Sequence, residues 1–305
     1  MILFIYSEEM NYRYEYNAIK SFLQNNYRNG IDYLLIPIEN IWVKLDAKTM
    51  LNNGKNRLDL ESVEKIYLID LGKITLTTLQ YRIYLLKYFE DLGIKVINSP
   101  ETILLCRNKI ATYLALKKYN LPVIPTIALP SYTDYQVWYD HIKKLGRYVI
   151  SKPLLGSRGI GIEYLSIDQI NKLKKKLDKE EILLIQRFIQ TKNICDMRAL
   201  VVGKEVLSAM KRCAQKGKIL TNVFQGGKPY PIKLSENVKS LASKAAKSVN
   251  GEIVTVDFIE DKNTNEIFVL EINGFARWEG MQRVVDFNIT EKIVKYIMGR
   301  YHENI

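Results

Sequence analysis

The sequence predicts an α/β fold that turns α+β in its C-terminal part. Three observations carry this expectation. Strand-like and helix-like patterns alternate through the first hundred residues, a strand at 147–152 runs into the glycine-rich stretch LLGSRGIG, and two apolar runs at 253–259 and 267–272 flank the polar turn DKNTNE. A chain of 305 residues can bury a large core and form two or three domains.

In order, the chain reads as a strand over 2–6, a helix over 14–26, strands over 33–38 and 66–69, a helix over 77–92 and a strand over 95–97. That βαβ alternation implies a parallel sheet covered by helices, interrupted by a turn between short strands at LNNGKNR. No Gly-x-Gly-x-x-Gly follows the first strand, so this part is not an evident dinucleotide binder. A break falls at Asn98-Ser99-Pro100, where proline fits the first turn of a new helix. Apolar spacing then predicts one helix over 102–119, with Cys106, Arg107, Asn108 and Lys109 early in it. Leu121 to Pro125 is extended, and a further βα pattern leads to the strand that delivers Lys152. Farther on, 197–202 and 205–210 read as an antiparallel pair turning at Gly203-Lys204, which gathers Asp196, Arg198, Lys211 and Arg212 at one end.

Composition removes several function classes. Only His141 and His302 occur, which argues against His-ligated metals and Ser-His-Asp chemistry. Cys106, Cys195 and Cys213 are too few and scattered for a disulfide framework and read as packing residues, which suggests a cytoplasmic protein. No stretch is long and apolar enough to span a membrane, and acidic residues follow the short apolar N-terminus where a signal peptide needs basic ones first. The net charge of +12 raises the local concentration of anions without choosing among them. The basic run 172–179 has leucines at helical spacing and reads as a solvated helix face, and no specific nucleic-acid signature is present.

What remains for chemistry is carboxylates, Lys, Arg and backbone amides. Glu271 and Asn273, two apart on one strand, share a face and can converge with Asp257 across the hairpin. Clustered carboxylates are costly to bury without a cation, and a hard ion such as magnesium suits an all-oxygen set. The plain alternative is an amphipathic hairpin with its carboxylates in water. Gly156, Gly159 and Gly161 allow backbone N–H groups to approach an anion beside Lys152, although a glycine-rich turn after a strand is by itself more often a tight hairpin. Between 215 and 227, Asn222 follows Arg212 in either an exposed charged loop or an anion-handling one.

These stretches, taken together and in order, resemble the ATP-grasp carboxylate–amine ligases, and among them the RimK-type branch, whose members attach amino acids, often glutamate, to acidic acceptors. The resemblance runs from about residue 98 to the C-terminus through NSPETILLCRNK, VISKPLLGSRGIG, LLIQRFI, CDMRALVVGKEV, MKR with TNVFQGG, VDFIE and LEIN. It implies an ATP-grasp fold divided as 98–190 and 191–305, behind a Rossmann-like pre-ATP-grasp domain at 1–97 that fits only in pattern. It also implies that Lys109 and Lys152 contact the ATP phosphates, that Gly156, Ser157, Arg158, Gly159 and Gly161 cover them, and that Gln186, Arg187, Phe188 and Ile189 form the hinge beside adenine. Asp196 would join the nucleotide set. Asp257, Glu271 and Asn273 would hold two magnesium ions, or manganese, and Arg198, Arg212 and Asn222 would face the acceptor and the transferring phosphoryl group.

Departures from the family pattern lie near the acceptor. Arg187 stands where glutamate is common, Asn108 replaces a frequent Asp, Cys213 replaces a second arginine, and Phe275-Ala276-Arg277 replaces a small-Pro-Gly turn. The run Trp278 to Gln282 is most similar to archaeal-type members that add glutamate to pterin or deazaflavin coenzymes, although Trp278 has a plain core reading as well. The expected partners are therefore ATP, an amino acid such as glutamate, and an acidic acceptor, with no membrane, no specific nucleic acid, and room for a homo-oligomer. An acidic carrier protein or a ribosomal protein tail is the alternative acceptor. A nucleotide-binding regulator without activity is the alternative class, and the intact lysines and carboxylates argue against it.

Overall fold

Strand β1 (Ile2–Tyr6) buries both faces, Ile2 and Phe4 to one side and Leu3 and Ile5 to the other, which is the signature of a parallel strand covered by helices. In the computed structural model, which describes residues 1–10, 13–44, 50–52, 57–58, 60–156, 159–169, 171–177, 179–217, 221–223 and 226–301, it lies at the centre of a four-stranded parallel sheet. Helix α1 (Tyr14–Asn26) leads to β2 (Tyr33–Pro37) on one side of β1, and β6 (Lys65–Leu68), α2 (Leu76–Asp91) and β7 (Lys95–Ile97) extend the sheet on the other. Between β2 and β6, a small antiparallel sheet of β3 (Trp42–Lys44), β4 (Met50–Asn52) and β5 (Arg57–Leu58) flanks the expected turn, whose residues 53–56 lie outside the described residues.

The single helix expected over 102–119 is two helices, α3 (Pro100–Arg107) and α4 (Lys109–Lys118). Asn108 between them has extended backbone and its Oδ1 accepts from the amides of Ile110 and Ala111, so it caps α4 instead of continuing α3. The apolar spacing runs through the break unchanged, which is why periodicity missed it. The consequence is that Lys109 opens a helix.

Two antiparallel sheets follow. The first, ordered β10-β9-β11-β8, consists of β8 (Thr126–Pro130), β9 (Tyr148–Pro153), β10 (Glu163–Ser166) and β11 (Ile182–Arg187), backed by α5 (Tyr135–Lys143) and α6 (Asn171–Leu177). The second, ordered β14-β13-β12-β15-β16, consists of β12 (Cys195–Val202), β13 (Glu205–Cys213), β14 (Lys228–Pro231), β15 (Ile253–Glu260) and β16 (Ile267–Asn273). Its far face packs on α7 (Glu236–Ser248) and α4. Its near face runs from Leu200, Val202 and Met210 into a core shared with α1, β1, α8 (Glu279–Gln282) and α9 (Ile289–Ile297). Trp278 is fully buried in that core and donates from Nε1 to Thr290 Oγ1, so its plain reading holds. Buried Asn98 makes four bonds to the amides of Glu252 and Ile253 and the carbonyls of Ile253 and Gly274, stitching the end of the parallel sheet to the β15–β16 hairpin.

The cysteine reading requires correction. Cys195 and Cys213 are register partners across β12 and β13 and form a disulfide, while Cys106 is free. A spacing of eighteen says nothing until strand register sets the two side by side. Because reducing compartments disfavour disulfides, the cysteines no longer support a cytoplasmic location. Among the described residues no helix is long and apolar enough to cross a membrane.

Candidate active site

The two antiparallel sheets face one another across a cavity of about 350 Å³, and most of the residues singled out in the sequence line it. Alternation along β12, β13 and β15 sends Asp196, Arg198, Arg212 and Asp257 to the cavity side, while Ala199, Val201 and Val256 go to the α7 core. Asp257 sits opposite Glu271, and Thr255 opposite Asn273, so the carboxylates and the amide share one face. A β-bulge shifts the register beyond Asp257, leaving Leu270 without an opposite partner and placing Leu270 and Glu271 together in the cavity wall.

The carboxylates differ in environment. Arg198 grips Asp257 in a fork, with Nε to Oδ1 at 2.6 Å and Nη2 to Oδ2 at 2.7 Å. Arg212, itself buried, forks onto Asp196 at 2.8 and 2.6 Å and reaches Asp257 Oδ2 at 2.9 Å. Burial alone would raise the Asp257 pKa, but the two guanidiniums outweigh it and hold it down to about 2. Glu271 has no ion-pair partner among the described residues. Burial and the Asp257 charge push its pKa up against the pull of Lys109, Lys152 and Arg198.

Lys152 is 8% exposed and donates to Gln186 Oε1 at 3.0 Å, and Gln186 in turn donates to Thr126 Oγ1 at 2.8 Å. Lys109, from the start of α4, reaches the carbonyl of Gly156 at 3.2 Å. Both lysines therefore project into one cavity from different elements, and burial lowers the pKa of each. The glycine-rich stretch connects the β9–β10 hairpin, as its plain reading has it, and Gly156 and Gly159 line the cavity. Gly161 has φ +77° and Gly156 φ +152°, conformations that strain any residue with a side chain. Ser157 and Arg158 lie outside the described residues. Lys176, in the basic run read as a solvated face, donates to the Gly161 carbonyl at 2.6 Å and ties α6 to this loop.

Gln186, Arg187, Phe188 and Ile189, expected to form the hinge, line the cavity, where Ile150, Ile162 and Ile259 add apolar surface. Asn222 lines the opposite side. Gly227 stands so near Thr221 that a Cβ on it would overlap the Thr221 carbonyl oxygen. Thr221, which the sequence did not single out, donates to Asp196 Oδ2 at 2.6 Å. Thr126 and Lys262 were likewise missed, since each becomes a site residue only through strand pairing or turn geometry.

The donor set fits a hard cation. Asp257, Glu271 and Asn273 could offer side-chain oxygens from one face, Glu271 lacks an ion pair among the described residues, and the buried Nδ2 atom of half-buried Asn273 is without a partner. The amide can be turned to present its oxygen there. Among the described residues no three His, Cys, Asp or Glu side chains gather where they could hold a metal ion.

A cavity between two antiparallel sheets, lined by buried Lys152, half-buried Lys109, two glycines of the β9–β10 loop and the carboxylates Asp257 and Glu271, matches the ATP-grasp class that the sequence resembles. Comparison with known proteins is specific. A sequence model of the RimK-like ATP-grasp domain matches residues 106–297. The tetrahydromethanopterin:alpha-L-glutamate ligase of Methanocaldococcus jannaschii is 30% identical over 275 residues, covering 88% of this chain and 90% of its own. The alpha-aminoadipate–LysW ligase LysX of Saccharolobus solfataricus is 30% identical over 216 residues, 68% and 75% of the two chains. Among solved structures, the ATP-grasp ligase PsnB complexed with its minimal precursor superposes with a TM-score of 0.75 at 17% identity, covering 98% of each chain, a likeness of fold. The chain belongs to the RimK-like ATP-grasp family and is an ATP-grasp amino-acid ligase.

Proposed function

We propose that this enzyme uses ATP to activate a carboxylate and joins it to the amine of glutamate or a similar amino acid, releasing ADP and phosphate. The observation that carries the reading is the convergence of Lys109, Lys152, Asp257 and Glu271 on one cavity beside Gly156 and Gly159, with Asn273 two residues beyond Glu271 on the same strand face. The acceptor carboxylate attacks the γ-phosphorus of ATP as the bond to ADP breaks, giving an acyl phosphate. The amine then attacks its carbonyl carbon, phosphate leaves, and the nitrogen gives up a proton to form the amide.

Little covalent chemistry falls to the protein, in keeping with the absence of a nucleophilic Ser, Cys or His role. Lys109 and Lys152 hold the phosphates, and Gln186, Arg187, Phe188 and Ile189 seat the base. Gly156, Ser157, Arg158, Gly159 and Gly161 cover the phosphates and exclude the water that would hydrolyse the activated acyl group. Arg198 and Arg212, kept in place by Asp257 and Asp196, offer charge to the transferred phosphoryl group, with Asn222 beside them. Magnesium, as two ions or with manganese in its place, would be held by Asp257, Glu271 and Asn273 and would neutralise phosphate charge.

We read the acceptor as a small acidic molecule of the pterin or deazaflavin coenzyme kind, since similarity to the tetrahydromethanopterin:alpha-L-glutamate ligase spans most of both chains. Similarity to a ligase named for LysW, with the +12 charge, supports an acidic carrier protein as the second reading. Glu271→Ala is the test of the site: ADP formation falls by roughly 100-fold or more, with the fold preserved by circular dichroism. Undiminished ADP formation would overturn the ligand assignment.

A further inference from the structure

The parallel sheet has a topological switch that the reading above does not use. From β1 the chain moves through α1 to β2 on one side, then places β6 on the other, so the strand order reverses between β1 and β6. In open α/β sheets, the crevice at the carboxyl ends of strands beside such a switch is where ligands bind. Here that edge meets the segment that follows Asn273.

Accounting for charge at this edge isolates one residue. Asp70, just beyond β6, accepts from Arg13 Nη1 at 2.6 Å and the Gly72 amide at 2.7 Å, and pairs with Arg277. Glu15, at the start of α1, accepts from the amides of Trp278 and Glu279 at 3.0 and 3.3 Å and from Arg277 at 3.3 Å. Arg82 bonds the carbonyls of Leu71 and Lys73. Arg107, at the end of α3, is partly buried and has neither an ion pair nor a side-chain hydrogen bond among the described residues. Asp70 supports its charge from a distance, and burial lowers its pKa. A desolvated guanidinium without a carboxylate is costly, and its planar fork matches one.

The position is suited to substrate. Arg107 lies two residues before Lys109, and Arg277 four after Asn273. The end of α3 abuts the turn after β16, where a Cβ on Gly274 would stand 3.2 Å from Cys106 Cβ. The edge thus adjoins the metal-ligand hairpin and the first phosphate lysine without sharing their residues.

We propose that this edge is the subsite for the side-chain carboxylate of the incoming dicarboxylic amino acid, with Arg107 as its binding residue and the Arg13–Asp70–Arg277–Glu15 network positioning the crevice. The inference rests on the ligase reading above. It gives the parallel sheet a part in the reaction: it selects the amine donor by charge.

The test is calorimetric titration of L-glutamate and L-glutamine into the full chain loaded with magnesium and ADP, for wild type, Arg107→Met and Arg107→Lys. Wild type binds glutamate more tightly than glutamine, by roughly 10- to 100-fold. Arg107→Met removes that preference, Arg107→Lys retains part of it, ADP affinity stays at the wild-type value, and the melting temperature of Arg107→Met does not fall. Equal affinity for the two amino acids, no glutamate binding by wild type, or an unchanged preference in Arg107→Met would each overturn the subsite. Failure of wild type to bind ADP would instead count against the ligase reading.

Discussion

Lys152 carries its charge in a buried setting. Its ammonium is buried and met by the neutral Gln186 oxygen, so burial pulls its pKa down to about 8, the charge of Glu271 opposing and that of Lys109 reinforcing the shift. Two opposite pH dependences follow. Because the folded chain gives up this proton near pH 8 and an unfolded lysine near 10.4, the unfolded state binds more protons across that window and stability rises with pH through it. On the proposal that the protonated amine holds the ATP phosphates, affinity is expected to fall by about tenfold per pH unit above about 8. Chemical denaturation and nucleotide titration between pH 7 and 10 measure the two. Lys152→Met, which removes the buried charge, abolishes the Lys152 part of both trends. Parallel trends, or none, would contradict this account of the lysine.

At the scale of elements, two hairpins and one disulfide build the cavity. The β15–β16 hairpin was legible because β-branched alternation and a polar turn specify it locally, and its register then brings Asp257 to Glu271. Its bulge was not legible, since one extra residue leaves no mark in a period-two pattern. The β9–β10 loop was legible through its glycines. Asn108 was not, because a capping residue inside continuous apolar spacing looks like any polar helix position. Nor was the Cys195–Cys213 bond, which depends on register between strands joined at Gly203-Lys204. That disulfide fixes the strand ends carrying Asp196 and Arg212. Closing a loop of eighteen residues stabilises the fold by about 3 kcal/mol through the unfolded chain. Denaturant titration with and without dithiothreitol is expected to show that loss, and a Cys195→Ser, Cys213→Ser double variant is expected to remove the dependence on reductant. Equal stability in both conditions would contradict the pairing.

Across the whole molecule, the parallel sheet is not an appendage. Its β1 face, α1 and α9 share one core with the near face of the five-stranded sheet, and Asn98, Arg277 and Glu15 fix the junction by hydrogen bonds. This packing was not legible in the sequence, where alternation defines the sheet but nothing states which helix face meets which domain. The cavity residues were legible because chemistry restricts them: lysines beside glycines, and carboxylates inside apolar strands. The central claim is that this architecture transfers the γ-phosphoryl group of ATP to a carboxylate and replaces it with an amine. Its most direct measurement is ADP release with magnesium and glutamate, with and without a small-molecule or protein fraction of the source cells, followed by mass spectrometry of the products. Fraction-dependent ADP release is expected, together with a product heavier by a glutamyl or similar aminoacyl increment. ATP that binds without ADP release in either fraction, or release of AMP in place of ADP, would contradict it.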